Sequence, residues 1–169
     1  MLKLVDSTSY IKEVIITPAM YQSAKITSEQ YAHKLKNSIR NGKGTLVGCL
    51  GEEMVLSLWP DIQRLNTFQF DCIHNGKRLE IKTKERTVPP SLSYDCSVNR
   101  LNGVQDADYY IFTSVLNTYD RGWVIGYIKT DSFWKEAKFY QKGSVDASNG
   151  FTFHCDTYNM PYSNLRRFK

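Results

Sequence analysis

The sequence predicts an α/β domain in three layers, α/β/α, with a mixed central β-sheet and one domain over residues 1–169. Three observations carry this. Apolar residues recur at helical spacing over 45–59, and the period then drops to two across an Asn-Gly dipeptide. Two apolar, strand-like runs follow at 108–115 and 123–128. With 169 residues, 41% hydrophobic and 23% charged, the chain can bury a sizeable core and is too apolar for disorder.

Taken in order, residues 1–26 read as an irregular arm containing a strand-like run, Val14-Ile15-Ile16-Thr17, stopped by Pro18. A first helix is expected from about Ser28 to Asn41. Thr27 and Ser28 are candidate N-caps, Gln30 stands three residues after Thr27, and Gly42 follows as a stop. Its apolar stripe is Tyr31, Leu35 and Ile39, opposite Lys34, Lys36 and Arg40. A second helix fits Thr45 to Trp59, closed by Pro60, with Val47, Leu50, Met54 and Leu58 on the core side. Gly48 and Gly51 would let a neighbour approach closely.

Thr67 to Ile73 and Lys77 to Lys84, joined by Asn75-Gly76, form a strong β-hairpin signal. Asp108 to Val115 reads as a strand covered on both faces, and Trp123 to Ile128 as its neighbour across the turn 117–122. Ser132 to Tyr140 reads as a short helix with Phe133, Trp134, Ala137 and Tyr140 as its apolar set. The rest reads as loop, including the polar segment Ser91 to Asn102, and ends in Arg166, Arg167 and Lys169.

Several classes of function fall away. No apolar run approaches the ~20 residues of a membrane span, and the start, Met1 to Asp6, lacks a signal-peptide core. Cys49, Cys72, Cys96 and Cys155 are dispersed without a CxxC pair, which suits reduced, buried thiols and a cytoplasmic location, in a bacterium or a phage-infected host. Neither GxSxG, GxGxxG nor GxxxxGK[ST] occurs, so nothing supports an esterase-type serine or a nucleotide cofactor. His33, His74 and His154 have no metal-ligand spacing, and His74, at the hairpin tip, is expected to be exposed. No motif supports base stacking by Tyr94 or Tyr158. The net charge of +5 hints at a polyanionic partner.

The chemistry is concentrated in the hairpin. A two-residue turn at Asn75-Gly76 sets His74 against Lys77, and counting back along both strands sets Asp71 against Glu80 on one face. Facing Cβ atoms in such a pair are about 4.5–5.5 Å apart, so two carboxylates there repel unless something compensates them. Mg²⁺ does so, because it favours carboxylate oxygens. Lys82 and Lys84 share the face of Glu80, while Leu79 and Ile81 point the other way, into a core. Alternating Glu and Lys is common on solvated strands; the feature that a solvated strand does not account for is Asp71 opposite Glu80. A divalent cation between carboxylates, with an ammonium one step along the strand, suits phosphodiester hydrolysis.

Asp71, then Glu80-Ile81-Lys82, preceded by Gly51-Glu52 on a helix, resembles the PD-(D/E)XK nuclease superfamily, the restriction-endonuclease-like fold. The ordered set Gly48 to Glu52, Phe70-Asp71, Leu79 to Lys84, Ala107 to Phe112 and Ile125 to Ile128 looks like its small phage-type members and covers about residues 45–130. Phe70 stands where the family often has proline. The resemblance implies that Asp71 and Glu80 are metal ligands, with the backbone carbonyl of Ile81 as a third. It also implies that Lys82 is the catalytic lysine, and that Glu52 reaches the metal through water. The adjacent Glu53 stays open as an alternative, because it lies nearer the flank of the Leu50/Met54 stripe.

The expected activity is Mg²⁺-dependent, Mn²⁺-tolerant hydrolysis of DNA, leaving 5′-phosphate and 3′-hydroxyl ends. Lys84, Arg86, Lys77, Arg78 and Lys43 would contact the phosphate backbone. A non-catalytic nucleic-acid-binding protein on the same scaffold and a nuclease acting on RNA are the competing expectations. The small size leaves little room for a separate recognition domain, which points to weak sequence specificity, a partner or a homodimer.

Overall fold

The computed structural model describes residues 11–32, 43–65, 67, 69–100 and 105–168, with backbone only at 32, 43 and 44. A first strand, β1 (Lys12–Ile15), leads directly into helix α1 (Pro18–Ala32). Pro18 does not merely end the strand. It takes the first helical position, where a missing N–H costs nothing, and Thr17 Oγ1 accepts the Met20 N–H at 3.2 Å. The helix therefore starts ten residues before the expected Ser28 cap (28 − 18). Ser28 lies inside it, its hydroxyl donating to the Lys25 carbonyl at 2.8 Å. Residues 33–42 of the expected helix, including Lys34, Lys36 and Arg40, lie outside the described residues.

Helix α2 (Lys43–Leu58) is followed by β2 (Gln63–Arg64), β3 (Cys72–His74) and β4 (Lys77–Arg86). Then come β5 (Asp95–Asn99), β6 (Tyr109–Leu116), β7 (Arg121–Lys129), helix α3 (Thr130–Glu136), β8 (Lys138–Tyr140) and β9 (Thr157–Pro161). The main sheet has the order β1-β7-β6-β4-β3-β2. Only β4 and β6 run parallel, so the sheet is mixed as expected. Asn75 (φ 48°) and Gly76 (φ 70°) both take left-handed backbone, the requirement of a two-residue hairpin turn.

Helices α1 and α2 cover one face. Ala24, Leu50, Met54 and Val55 meet Leu79, Ile81, Ile111, Val115 and Val124 in one core. Leu50, Met54, Leu79 and Ile111 are fully buried, each stabilising by about 1.5–3 kcal/mol relative to exposure. Gly51 gives α2 its close approach, since a Cβ there would collide with Thr83 Oγ1 and stand 2.7 Å from Thr113 Oγ1. Gly48 faces open space.

The opposite face corrects the expected helical layer. Tyr110, Phe112, Trp123 and Ile125 pack against Phe133 of α3 and against Cys96, Val98 and Met160. The last three belong to a separate three-stranded antiparallel sheet, β5-β9-β8, so this layer is mostly β-structure. Helix α3 stops at Glu136, short of the expected Tyr140, because Ala137 turns extended (φ −72°, ψ 140°). Phe139 is then free to pair across β8 and β9 with Tyr158, ring centroids 5.0 Å apart. All four cysteines are free and buried, as expected. No described helix is long and apolar enough to cross a membrane.

Candidate functional site

The hairpin register runs as expected through His74↔Lys77, Ile73↔Arg78 and Cys72↔Leu79. At Asp71 the chain bends out of the ladder. Its N–H bonds the Leu79 carbonyl at 3.0 Å, and its carbonyl accepts the Leu65 N–H at 2.9 Å. Beyond Leu79 this edge of β4 therefore has no strand partner among the described residues. Asp71 fills the first place on it, its Oδ2 accepting the Ile81 N–H at 2.7 Å. A strand residue's N–H and C=O leave on the same side, so the Ile81 carbonyl opens on the edge that Asp71 occupies.

Three carboxylates act on one another electrostatically here. Glu80 is 6% exposed and Glu52, from α2, is 8% exposed. Desolvation pushes the Asp71 carboxyl well above the usual carboxylate range, and the charges of Glu80 and Glu52 push it further; the Ile81 N–H and Lys82 oppose them. Burial likewise raises Glu52 to about 7, with Arg64 opposing and Glu80 and Glu53 adding to the rise. Of the two helix acids, Glu52 is the one raised by Glu80 and itself raising Asp71. Glu53 accepts from Ser23 Oγ at 2.6 Å and from Arg64 Nη1 at 2.9 Å, tying α2 to α1 and β2.

Lys82 Nζ lies 2.7 Å from Glu80 Oε1 and donates to Gln105 Oε1 at 2.6 Å. Gln105 Nε2 donates in turn to Glu80 Oε1 at 2.6 Å, closing a three-residue ring. Neither Gln105 nor Arg64 was expected. Both come from segments outside the hairpin, and no local periodicity points to them. Arg64 Nε contacts Glu52 Oε2 at 3.2 Å, but that oxygen is buried with no hydrogen-bond partner.

The cations expected to meet phosphate divide into groups. Arg78 is matched by Asp106 and by Asp108, which also accepts the Arg78 backbone N–H at 2.8 Å. Arg86 lies over the rings of Tyr94 (4.8 Å) and Tyr162 (5.3 Å) and bonds Ser114 Oγ and Tyr162 Oη. Lys77 and Lys84 are exposed. The side chain of Lys43 lies outside the described residues. His74 departs from expectation: it is 8% exposed, and its Nε2 lies 2.7 Å from Asp61 Oδ2, because the turn after α2 folds over the hairpin tip.

The donor set suits a hard divalent cation, with carboxylates and an edge carbonyl among its oxygens. The Glu52 Oε2, which accepts no hydrogen bond, and the repulsion among the acids that Lys82, Arg64 and the Ile81 N–H only partly offset are what such an ion would satisfy. As they stand, no three His, Cys, Asp or Glu side chains among the described residues form a ready coordination group. The acids are instead held by Lys82, Gln105, Arg64 and the Ile81 N–H.

The raised pKa values set a pH dependence of stability. Glu52 binds its proton more tightly folded than unfolded, so stability is highest at low pH and falls as pH rises from 4.5 toward about 7. In EDTA, the stability difference between the parent and Glu52→Gln should shift against the parent across that window by on the order of 3 kcal/mol. Urea unfolding of both proteins at pH 4.5 and 7.5 measures it, and a difference independent of pH would contradict a buried, ionisable Glu52. No family model matches this chain, and no curated protein matches it.

Proposed function

We propose that the protein is a metal-dependent deoxyribonuclease that hydrolyses DNA phosphodiester bonds. The supporting observation is Asp71 on an open strand edge, bonded to the Ile81 N–H, beside a Glu80 that carries the Lys82 ammonium and electrostatically coupled to Glu52. Asp71, Glu80 and the Ile81 carbonyl would hold Mg²⁺ or Mn²⁺, with Glu52 acting through water; the ion would supply Lewis acidity toward phosphate and lower the pKa of water. The chain's own residues supply position and charge. Glu80 and Gln105 hold Lys82 Nζ in one place. From there its remaining proton can orient a water for in-line attack on phosphorus and stabilise negative charge as the 3′-oxygen leaves. Gln105, bonded to both members of the pair, keeps the ammonium from collapsing onto Glu80 alone.

The test is cleavage of circular and linear DNA with Mg²⁺, Mn²⁺ or EDTA. Products should appear only with the metal, and Mn²⁺ should substitute for Mg²⁺. The reading is overturned if duplex, single-stranded and branched DNA all survive with either ion. Salt-sensitive binding indifferent to EDTA and to Lys82→Ala would then favour a binding protein on this scaffold.

A further inference from the structure

On the face of β4 that carries Glu80 and Lys82, the next side chains in alternation are Lys84 and Arg86. They lead away from the site into a hollow of about 1160 Å³ between the end of β4, the small sheet and the loop 146–155. A smaller recess lined by Lys82 and Lys84 lies beside it and shares Lys84, Ser97 and Asn99 with its wall. The hollow is therefore adjacent to the Lys82 end of the proposed site.

Its lining is specific in character. Lys84 is exposed, and the charged groups that act on it are Arg86 and Asp95. Tyr94 and Phe151 present aromatic surface, 37% and 52% exposed, and the Arg86 guanidinium braces the Tyr94 ring from 4.8 Å. Phe151 is fixed edge-on to Phe153 at 5.3 Å. Asn159 is 8% exposed and lines the hollow, yet its Oδ1 has no hydrogen-bond partner. A buried amide oxygen left unpaired costs about 1–3 kcal/mol, and rotation of the amide offers either of its polar groups to a ligand.

Lys84 and Arg86 share this lining with Asp95 and Asp146. Two cations against two acids leave no net positive charge for a duplex backbone, whose binding scales with the phosphates neutralised. Aromatic faces beside an unpaired amide suit a base that is already out of a stack. We propose that the hollow receives an unpaired nucleotide of the strand being cut, with its phosphate on Lys84 and its base among Tyr94, Phe151 and Asn159. The substrate class is thus single-stranded DNA or a splayed single-stranded segment. The assignment rests on the nuclease reading for its strand direction, and binding can be tested apart from it.

The experiment is fluorescence anisotropy of the full chain in EDTA with a short fluorescein-labelled single-stranded DNA and with its duplex. Single strand should bind about tenfold more tightly than duplex. Phe151→Ala should weaken single-strand binding by about tenfold without changing the melting temperature, and Phe151→Trp should restore it. Lys84→Ala should reduce the salt slope by about 0.7. Equal or tighter binding of duplex, or unchanged affinity in Phe151→Ala, overturns the proposal. If these binding effects appear but Mg²⁺ gives no cleavage, the nuclease reading falls and the nucleotide site stands. If Mg²⁺ gives cleavage that Phe151→Ala leaves intact on single strands below saturation, the nuclease reading stands and this site falls.

Discussion

Asp71→Asn is expected to lower cleavage by about 10³-fold or more and, in EDTA at pH 7.5, to make the protein more stable. The two effects have one cause. Asp71 is desolvated and repelled by Glu80 and Glu52, and the Ile81 N–H and Lys82 offset only part of what a divalent ion would relieve. Asparagine keeps an oxygen for the Ile81 N–H, now 2.7 Å from Asp71 Oδ2, while removing the charge. The gain should lie within the about 0.5–2 kcal/mol common for a single stabilising substitution. It should shrink as pH falls and the parent carboxyl takes up its proton, because a raised carboxyl pKa withholds stability only as pH rises.

Lys82→Ala provides the contrast. It should also abolish cleavage, but it removes the cation 2.7 Å from Glu80 Oε1, so it should lower Tm. Saturating Mg²⁺ should raise the Tm of the parent, by about 2.7 kcal/mol of stability at one hundred times Kd, and leave Asp71→Asn unmoved. Thermal melts of the three proteins with and without Mg²⁺ test the set. An Asp71→Asn protein that is less stable than its parent in EDTA would contradict the crowded-acid account.

What could be read from the sequence was whatever local geometry controls. Asn75-Gly76 sets the hairpin register, because both residues must accept positive φ. That register brought Asp71 and Glu80 together on paper before any fold was known. The ladder's end after Cys72↔Leu79 was not readable, since it depends on Leu65 capturing the Asp71 carbonyl. Pro18 was misread because proline ends a strand and begins a helix with the same fixed φ; only Thr17 on the Met20 N–H distinguishes the two.

The small sheet was missed for a different reason. Strand β5 pairs with β9, about 60 residues later, and although Cys96 and Val98 alternate with polar residues, five residues are too short a run to stand out. Gln105 and Arg64 reach the site from segments whose own pattern is that of ordinary loop or edge. Long-range closure delivers them, so they become visible only when the chain is folded.

The second large effect concerns how α2 is seated. Gly51→Ala should destabilise the protein by about 3 kcal/mol and shift Glu52 as it does so. At this position α2 lies directly on Thr83 of β4 and Thr113 of β6, whose hydroxyls bond each other at 2.9 Å. A methyl group would meet both oxygens at once, and Thr113 is 1% exposed, with little room to turn away. In an exposed helix the same change would stabilise by about 0.5–1 kcal/mol, so a loss of stability here reports the contact rather than helix propensity. Relief has to come from lifting α2 off the sheet. Glu52 is the next residue on that helix, so the displacement should weaken its coupling to Asp71 and Glu80 and bring its pKa back toward the ordinary range. Gly48→Ala is the control: it sits in the same helix over open space and should be neutral or mildly stabilising. Urea unfolding of the two variants separates the cases, and equal stability of Gly51→Ala and Gly48→Ala would show that α2 does not lie as close to the sheet as described.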